Sequence, residues 1–90
     1  MTSAEVVRNL ESLKGQEFDK EEIVIAFEDY EECGETSVIV SETSDERNFQ
    51  NGDNVITCKI YNAYIDVEES TIFVIAVSRK DNKVVDVWED

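Results

Sequence analysis

The sequence predicts an α+β fold with an N-terminal helix, a short second helix and a twisted antiparallel sheet of about five strands. Two observations lead to this fold class. Apolar residues recur at helical spacing over residues 3–14, whereas the chain from Ser37 onward consists of short runs rich in β-branched residues. Ninety residues are enough for one hydrophobic core, so we expect residues 1–90 to form a single domain.

The first helix is predicted over residues 3–14. Thr2 and Glu5 have the spacing of a capping box. In this motif each side chain accepts a hydrogen bond from a backbone N–H group that has no partner within the first turn of the helix. Gly15 follows the last apolar residue, at the place where a glycine commonly ends a helix. The apolar stripe of this helix is therefore expected to cover part of the sheet.

The segment EEIVIAFEDYEECGE, residues 21–35, places an apolar run between two acidic clusters. The β-branched residues within 23–27 favour a short strand, and residues 28–33 are then predicted to form a helix of one or two turns that Gly34 ends. A continuous helix over residues 20–33 is the alternative, because periodicity cannot assign so short an apolar run.

Four further strands are predicted in the runs SVIVSE, NVITCKIYNAYIDV, TIFVIAVS and KVVDVW. Turns are predicted at Asn51-Gly52, at residues 68–70 and at Asp81-Asn82, because these residue types favour tight reversals of the chain. Consecutive hairpins make the sheet antiparallel, and the run at 23–27 would add the fifth strand.

The charge of the chain is large and unevenly distributed. The formal net charge is -14, and residues 17–46 hold 12 of the 22 acidic residues, with Lys20 as the one base among them. Such a field repels nucleic acid and anionic membranes. We therefore expect no direct contact with either, and a basic protein as partner, of the class whose own ligand is a polyanion.

Catalysis and metal binding have little chemical basis in this sequence. It contains no histidine, and Cys33 and Cys58 lie far apart without a CxxC motif, so neither zinc nor a disulfide framework is indicated. Adjacent carboxylates in an acidic chain are usually a solvated surface. We expect no enzymatic activity and no cofactor. No signal peptide or membrane-length apolar run is seen, which predicts a cytoplasmic protein.

The acidic residues of the predicted second helix would lie in rows. Glu28, Glu31 and Glu32 share one helical face, and Asp29 with Glu32 forms the adjoining row. Carboxylates a few ångströms apart resemble the phosphates of one DNA strand, which follow one another every ~3.4 Å. An acidic face that serves only solubility, or life at high salt, is the alternative explanation.

The chain resembles the bacteriophage family of uracil-DNA glycosylase inhibitors, which are small acidic DNA mimics. The resemblance lies in EEIVIAFEDYEECG at 21–34, TSVIVSETSDE at 36–46, DNVITC at 53–58 and FVIAVSRKDNKVV at 73–85. The order and spacing of these segments are also similar to those of the family, and they cover most of the chain.

The resemblance implies a stoichiometric inhibitor of the host repair enzyme uracil-DNA glycosylase, acting in the cytoplasm of the host bacterial cell. An acidic edge strand would enter the DNA groove of the enzyme. An apolar pocket would take up the leucine that the enzyme inserts into the minor groove during base flipping. The free protein would be a monomer, the complex would be 1:1, and no cofactor would be needed.

Site residues follow from the resemblance by position. The resemblance makes Glu21, Asp29 and Glu32 acidic contacts to the partner, and the acidic clusters of the sequence add Glu22, Glu28 and Glu31 to the predicted contacts. The pocket would be lined by Ile25, Tyr30, Cys33, Val40, Ile56, Cys58 and Val74. Each pocket residue could instead belong to an ordinary hydrophobic core. Two departures from the family, Glu22 in place of a small polar residue and Phe27 in place of a proline, bear on the second helix and the pocket shape.

Two other functions remain open at this point. The same mimicry could be directed at a restriction enzyme, a CRISPR effector or a nucleoid protein. An immunity-type protein that blocks a basic nuclease toxin would also explain the acidity. These alternatives differ from glycosylase inhibition in whether an apolar pocket is needed beside the charges.

Overall fold

The computed structural model describes residues 3–27, 38–65 and 68–90, and these residues form an α+β fold with an open antiparallel sheet. The elements, in chain order, are α1 (Ser3–Glu11), α2 (Lys20–Ile25), β1 (Val38–Asn51), β2 (Asn54–Ile65), β3 (Glu68–Ser78) and β4 (Val84–Glu89). The predicted fold class is confirmed, but the sheet has four strands and not five.

Helix α1 confirms the first predicted element, although it is shorter than expected. After Glu11 the chain continues in tighter turns, in which the Leu13 N–H donates to the Leu10 carbonyl at 2.9 Å. Gly15 then adopts a φ of 84°, a left-handed conformation that glycine reaches without steric cost. Its N–H donates to the Val84 carbonyl at 2.8 Å, which fixes the end of the helical segment to β4.

The strand predicted at residues 23–27 is wrong, because this run begins within helix α2. Asp19 caps the helix: its side chain accepts a hydrogen bond from the Glu21 N–H at 2.9 Å. Glu21 and Glu22 lie in the first turn, where carboxylates interact favourably with the helix dipole. The predicted helix over 28–33 lies outside the described residues.

The four strands form a meander in the order β1-β2-β3-β4, and every pair is antiparallel. The predicted turns at Asn51-Gly52 and Asp81-Asn82 are present, with positive φ at Gly52 (65°) and at Asn82 (59°). The turn predicted at residues 68–70 is wrong, since β3 begins at Glu68. Strand β1 continues nine residues beyond the predicted end at Glu42.

Both helices pack on one face of the sheet and form the main core. Val6 and Leu10 of α1 are fully buried, and Ile23 of α2 is nearly so. They meet the face of the sheet that carries Phe73 and Ile75, among others. The two helices are also joined directly, because the Asn9 side chain donates to the Ala26 carbonyl at 3.1 Å.

The opposite face has no helix over it within the described residues, and we call it the open face. Its buried floor is a smaller cluster made of Cys58, Ile60, Val74 and Ala76. Large side chains of the same sheet, including Phe49 and Trp88, are partly buried against this floor. The two faces are thus covered by different means, one by helices and the other by the sheet's own side chains.

Candidate protein-binding site

Strand β1 is an edge of the sheet, because among the described residues it pairs with β2 alone. Its ladder is interrupted between Glu42 and Glu46, where residues 43–45 lie opposite the single residue Ile60. Thr43 holds this bulge: its hydroxyl donates to the Ile60 carbonyl at 2.9 Å and accepts from the Asp45 N–H at 3.1 Å. A bulge bends the edge outward and turns side chains away from the ladder.

Three carboxylates surround this bulge and differ in their partners. Glu46 accepts a hydrogen bond from Arg79 at 2.7 Å, in an ion pair whose two side chains are about half exposed. Glu42 accepts a long hydrogen bond from the Tyr61 hydroxyl at 3.4 Å. Within the described ranges no cation forms an ion pair with Asp45. The bulge therefore presents net negative charge to solvent.

The start of α2 brings further carboxylates close to this strand. Phe18 stacks on Tyr61, with ring centroids 4.3 Å apart, and the Tyr61 hydroxyl reaches Glu42. The segment that leads into α2 is therefore fixed beside the bulge of β1. We call Glu21, Glu22, Glu42, Asp45 and Glu46 together the acidic border; all five are exposed. The acidic border thus combines two parts of the chain, with Glu21 and Glu22 on the helix side of the sheet and Asp45 and Glu46 on the open face.

A shallow hollow of about 370 Å³ lies on the open face next to the acidic border. Its exposed lining is mainly polar, and Asp45, Glu46, Asn62 and Asp90 contribute to it. Ile60 and Val74 are buried beneath it, so Trp88 is its one partly exposed apolar residue. We call it the open-face hollow. The guanidinium of Arg47, another lining residue, lies over the Trp88 ring at 5.1 Å from its centroid. Aromatic and arginine side chains of this kind are enriched among the residues that dominate protein interfaces.

The predicted acidic contacts are only partly within the described residues. Glu21 and Glu22 are exposed on α2 and belong to the acidic border, but they lie on a helix and not on the edge strand that the resemblance implied. The four others lie outside the described residues: Glu28, Asp29, Glu31 and Glu32. The acidic edge strand of this structure is β1.

The predicted pocket residues do not line one cavity. Val40 packs against the helix-side core, whereas Ile56, Cys58 and Val74 belong to the open face, because side chains of a strand alternate between the two faces of a sheet. Ile25 is 57% exposed on α2. Tyr30 and Cys33 lie outside the described residues.

Even the open-face members of the predicted pocket are separated. Val74 lines the open-face hollow, while Ile56 lines two other depressions nearer the end of the sheet. Cys58 is fully buried in the floor. Burial raises the pKa of its thiol above the ordinary value, and the nearby Asp81 carboxylate raises it further. Cys58 is therefore a packing residue with an unreactive thiol.

Sequence reasoning missed Glu42, Asp45, Glu46, Ile60 and Trp88 as site residues. One signal for the three acids was available, because the strongly acidic region of the chain extends to Glu46. No comparable signal existed for the two apolar residues, since their position on one face near the acids depends on the register of four strands.

Two kinds of feature are not found among the described residues. No group of three or more His, Cys, Asp and Glu side chains among them could hold a metal ion. None of the helices in the described part of the chain is long and apolar enough to cross a membrane.

Comparison of the chain with known proteins gives no assignment. No protein-family model, no curated protein and no solved structure matches it.

Proposed function

We propose that the protein inhibits uracil-DNA glycosylase by occupying the DNA-binding groove of the enzyme. The observation that carries this proposal is the convergence of the acidic border with the open-face hollow, which share Asp45 and Glu46. A groove built for DNA offers hydrogen-bond donors and cations to phosphate oxygens, and exposed carboxylates can accept the same bonds.

The hollow supplies the second half of the proposal. An enzyme that flips bases inserts an apolar side chain into the minor groove, and that side chain loses its function when another protein buries it. Trp88 is the apolar residue that the hollow offers to such a side chain, because Ile60 and Val74 are buried beneath it. In this proposal the open-face hollow takes the place of the pocket that the resemblance implied, and β1 takes the place of the strand predicted at residues 23–27.

The acidic border and the open-face hollow would contribute differently to binding. With a net charge of -14, the protein is attracted to a basic groove over distances of about the Debye length, ~8–10 Å at ordinary salt. This attraction mainly raises the association rate, whereas burial of an apolar side chain lowers the dissociation rate. The complex would therefore tolerate salt better than a purely ionic complex.

The direct experiment mixes the purified protein with a bacterial uracil-DNA glycosylase at equal concentration and follows uracil release from a labelled duplex. We expect uracil release to stop at a ratio of one inhibitor per enzyme and a complex to appear on a native gel. Undiminished cleavage with no complex would reject this target and move the search to another DNA-binding protein, such as a restriction enzyme, a CRISPR effector or a nuclease toxin.

A matched pair of variants tests the role of the acidic border. Replacing Asp45→Asn together with Glu46→Gln removes two charges at the bulge. The control, Asp53→Asn with Glu89→Gln, removes the same net charge at exposed positions outside the border. We expect the first variant to inhibit at least about tenfold less well and the control to inhibit normally. Equal losses in both would mean that only total charge matters.

The hollow is tested separately by filling it. Asn62 lines the hollow and is partly exposed, so Asn62→Phe adds an aromatic ring there without removing a core side chain. If the partner inserts an apolar side chain, this variant loses inhibition while its thermal unfolding stays near that of the parent. Unchanged inhibition by a folded Asn62→Phe variant would mean that the hollow is not used and that the protein inhibits through its charge alone.

A further inference from the structure

The β1–β2 hairpin extends beyond the β3–β4 hairpin at one end of the sheet. Strand β2 begins at Asn54, but its pairing with β3 begins only at Cys58, opposite Ser78. Residues 54–57 of β2 therefore have β1 on one side and no strand of the described chain on the other. This leaves a notch between the projecting hairpin and the turn that joins β3 to β4.

The backbone of β2 faces this notch with hydrogen-bonding groups. In an antiparallel pair, successive residues point their N–H and C=O groups alternately toward and away from the partner strand. The Thr57 carbonyl points away from β1, since it accepts from the Arg79 N–H at 2.9 Å. By the same alternation, the N–H and C=O of Val55 also point into the notch. An added strand could bond to them as β3 bonds to the rest of β2.

The side chains around the notch combine apolar surface with positive charge. The notch has a volume of about 930 Å³, and Val55, Ile56, Val84 and Val85 contribute its apolar lining. Val55 is 58% exposed, which makes it one of the three large apolar residues exposed in the described chain. A solvated strand edge with an exposed apolar side chain has the composition of a peptide-binding edge.

Cations are concentrated here although the protein is strongly acidic. Arg79, Lys80 and Lys83 all line the notch, so it holds three of the eight basic residues of the chain. Arg79 is paired with Glu46, whereas no ion pair involves Lys80 or Lys83 within the described ranges. The one carboxylate in the lining, Asp81, accepts a hydrogen bond from the Lys83 N–H. The notch therefore has a net positive charge.

We propose that this notch binds an acidic peptide segment of a partner protein as an added strand on residues 54–57, with Lys80 and Lys83 facing its carboxylates. Charge complementarity selects an acidic ligand, and the strand edge with its apolar lining selects an extended peptide. A nucleic acid fits less well, because a long polyanion would run from the notch onto a surface that is negative overall. The site is separate from the open-face hollow, with which it shares no lining residue.

The first test uses short blocked peptides in which valine alternates with glutamate, serine or lysine, and a short oligothymidylate as the nucleic-acid probe. Binding is measured by isothermal titration, and the amide resonances of Val55 and Thr57 are followed by NMR. We expect the glutamate peptide to bind at least about tenfold more tightly than the serine peptide and to shift both amides. A glutamate peptide that binds no better than the others would overturn the proposal, and so would tighter binding of the oligonucleotide.

Variants separate the notch from nonspecific charge effects. Lys80→Glu with Lys83→Glu reverses the charge of the notch, and Arg8→Glu with Lys20→Glu makes the same change in net charge on the two helices. Val55→Pro removes one N–H from the notch and keeps the pairing with β1. We expect the first and third variants to lose peptide binding and the second to keep it. Equal loss in the helix control, with all variants folded by circular dichroism, would contradict a site in the notch.

Discussion

Among the described residues, the helix-covered face of the sheet holds a core of thirteen buried apolar side chains, whereas the open face holds only four. On the helix side, Phe73 is fully buried and meets Phe27 edge to face, with ring centroids 5.2 Å apart. On the open face, Phe49 and Trp88 remain partly exposed while covering Cys58 and other small or medium side chains. The open face is therefore shielded from water only by partly exposed side chains, which can also contact another molecule.

This contrast separates stability from recognition. Side chains held between helices and sheet contribute most to folding, because they lose all contact with water. Half-exposed aromatic rings contribute less to folding but can bury their remaining surface against a partner. The following predictions test whether the two faces divide these roles.

The largest effect is expected for Phe73→Ala on the helix side. The substitution removes a fully buried ring and leaves a cavity beside Phe27, which costs about 3–5 kcal/mol in the free energy of unfolding. Urea denaturation followed by far-UV circular dichroism measures this loss. A loss below about 1 kcal/mol would mean that the helices do not enclose this ring as described.

A smaller effect is expected for Trp88→Ala on the open face. The ring is only partly buried, so its removal is expected to cost about 1–2 kcal/mol, and the same denaturation experiment compares the two variants directly. Trp88 also lines the open-face hollow, so we expect this variant to lose more inhibition of the glycosylase than stability. If Trp88→Ala were as destabilising as Phe73→Ala, the two faces would not differ in the way described.

Arg47→Ala tests the contact between the Arg47 guanidinium and the Trp88 ring. A guanidinium over a partly exposed indole ring contributes roughly 0.5–1 kcal/mol, so the loss of stability is expected in that range. In the double variant with Trp88→Ala, the effect of removing Arg47 is expected to vanish, because its partner ring is gone. Full additivity of the two substitutions would show that the contact contributes nothing.

The smallest effect concerns Cys58 and is expected to appear only as a dependence of the free energy of unfolding on pH. Burial and Asp81 raise the pKa of Cys58 above 9.0, so the folded protein keeps this proton when the unfolded chain loses it. The contribution of the neutral thiol to the free energy of unfolding is complete below pH 9.0. It is lost as the pH rises from 9.0 through the pKa of the folded state. We therefore expect the stability advantage over Cys58→Ala to shrink between about pH 8 and about pH 10 in urea denaturation. A constant difference would exclude this linkage.

Much of the fold could be predicted because its strongest patterns are local. Helix α1 follows from its apolar spacing, and β2, β3 and β4 follow from β-branched runs between turn residues. The error at residues 23–27 has a definite cause. The β-branched run favours a strand, but Asp19 caps α2 and stands three residues before Glu22 in the spacing of a capping box, so this local cap favours a helix.

The rest depended on pairings that no local pattern contains. The last ten residues of β1, ETSDERNFQN, have little apolar alternation, since most of their side chains are exposed at the sheet edge, and only their pairing with β2 makes them a strand. The division of Val40 from Cys58 and Val74 depends on which side chains face the helices. The register of the strands determines which side chains face the helices, and a shift by one residue would exchange the two faces.

Trp88 is the one tryptophan of the chain, and it lies on the open face. Fluorescence excited at wavelengths that tryptophan absorbs and tyrosine does not therefore reports on that face alone, and neither Tyr61 nor Phe73 of the helix-side core contributes to it. Emission changes that precede the loss of helical signal during unfolding would reveal the open face loosening first. The molecule thus contains its own optical label at the surface where we propose that the glycosylase binds.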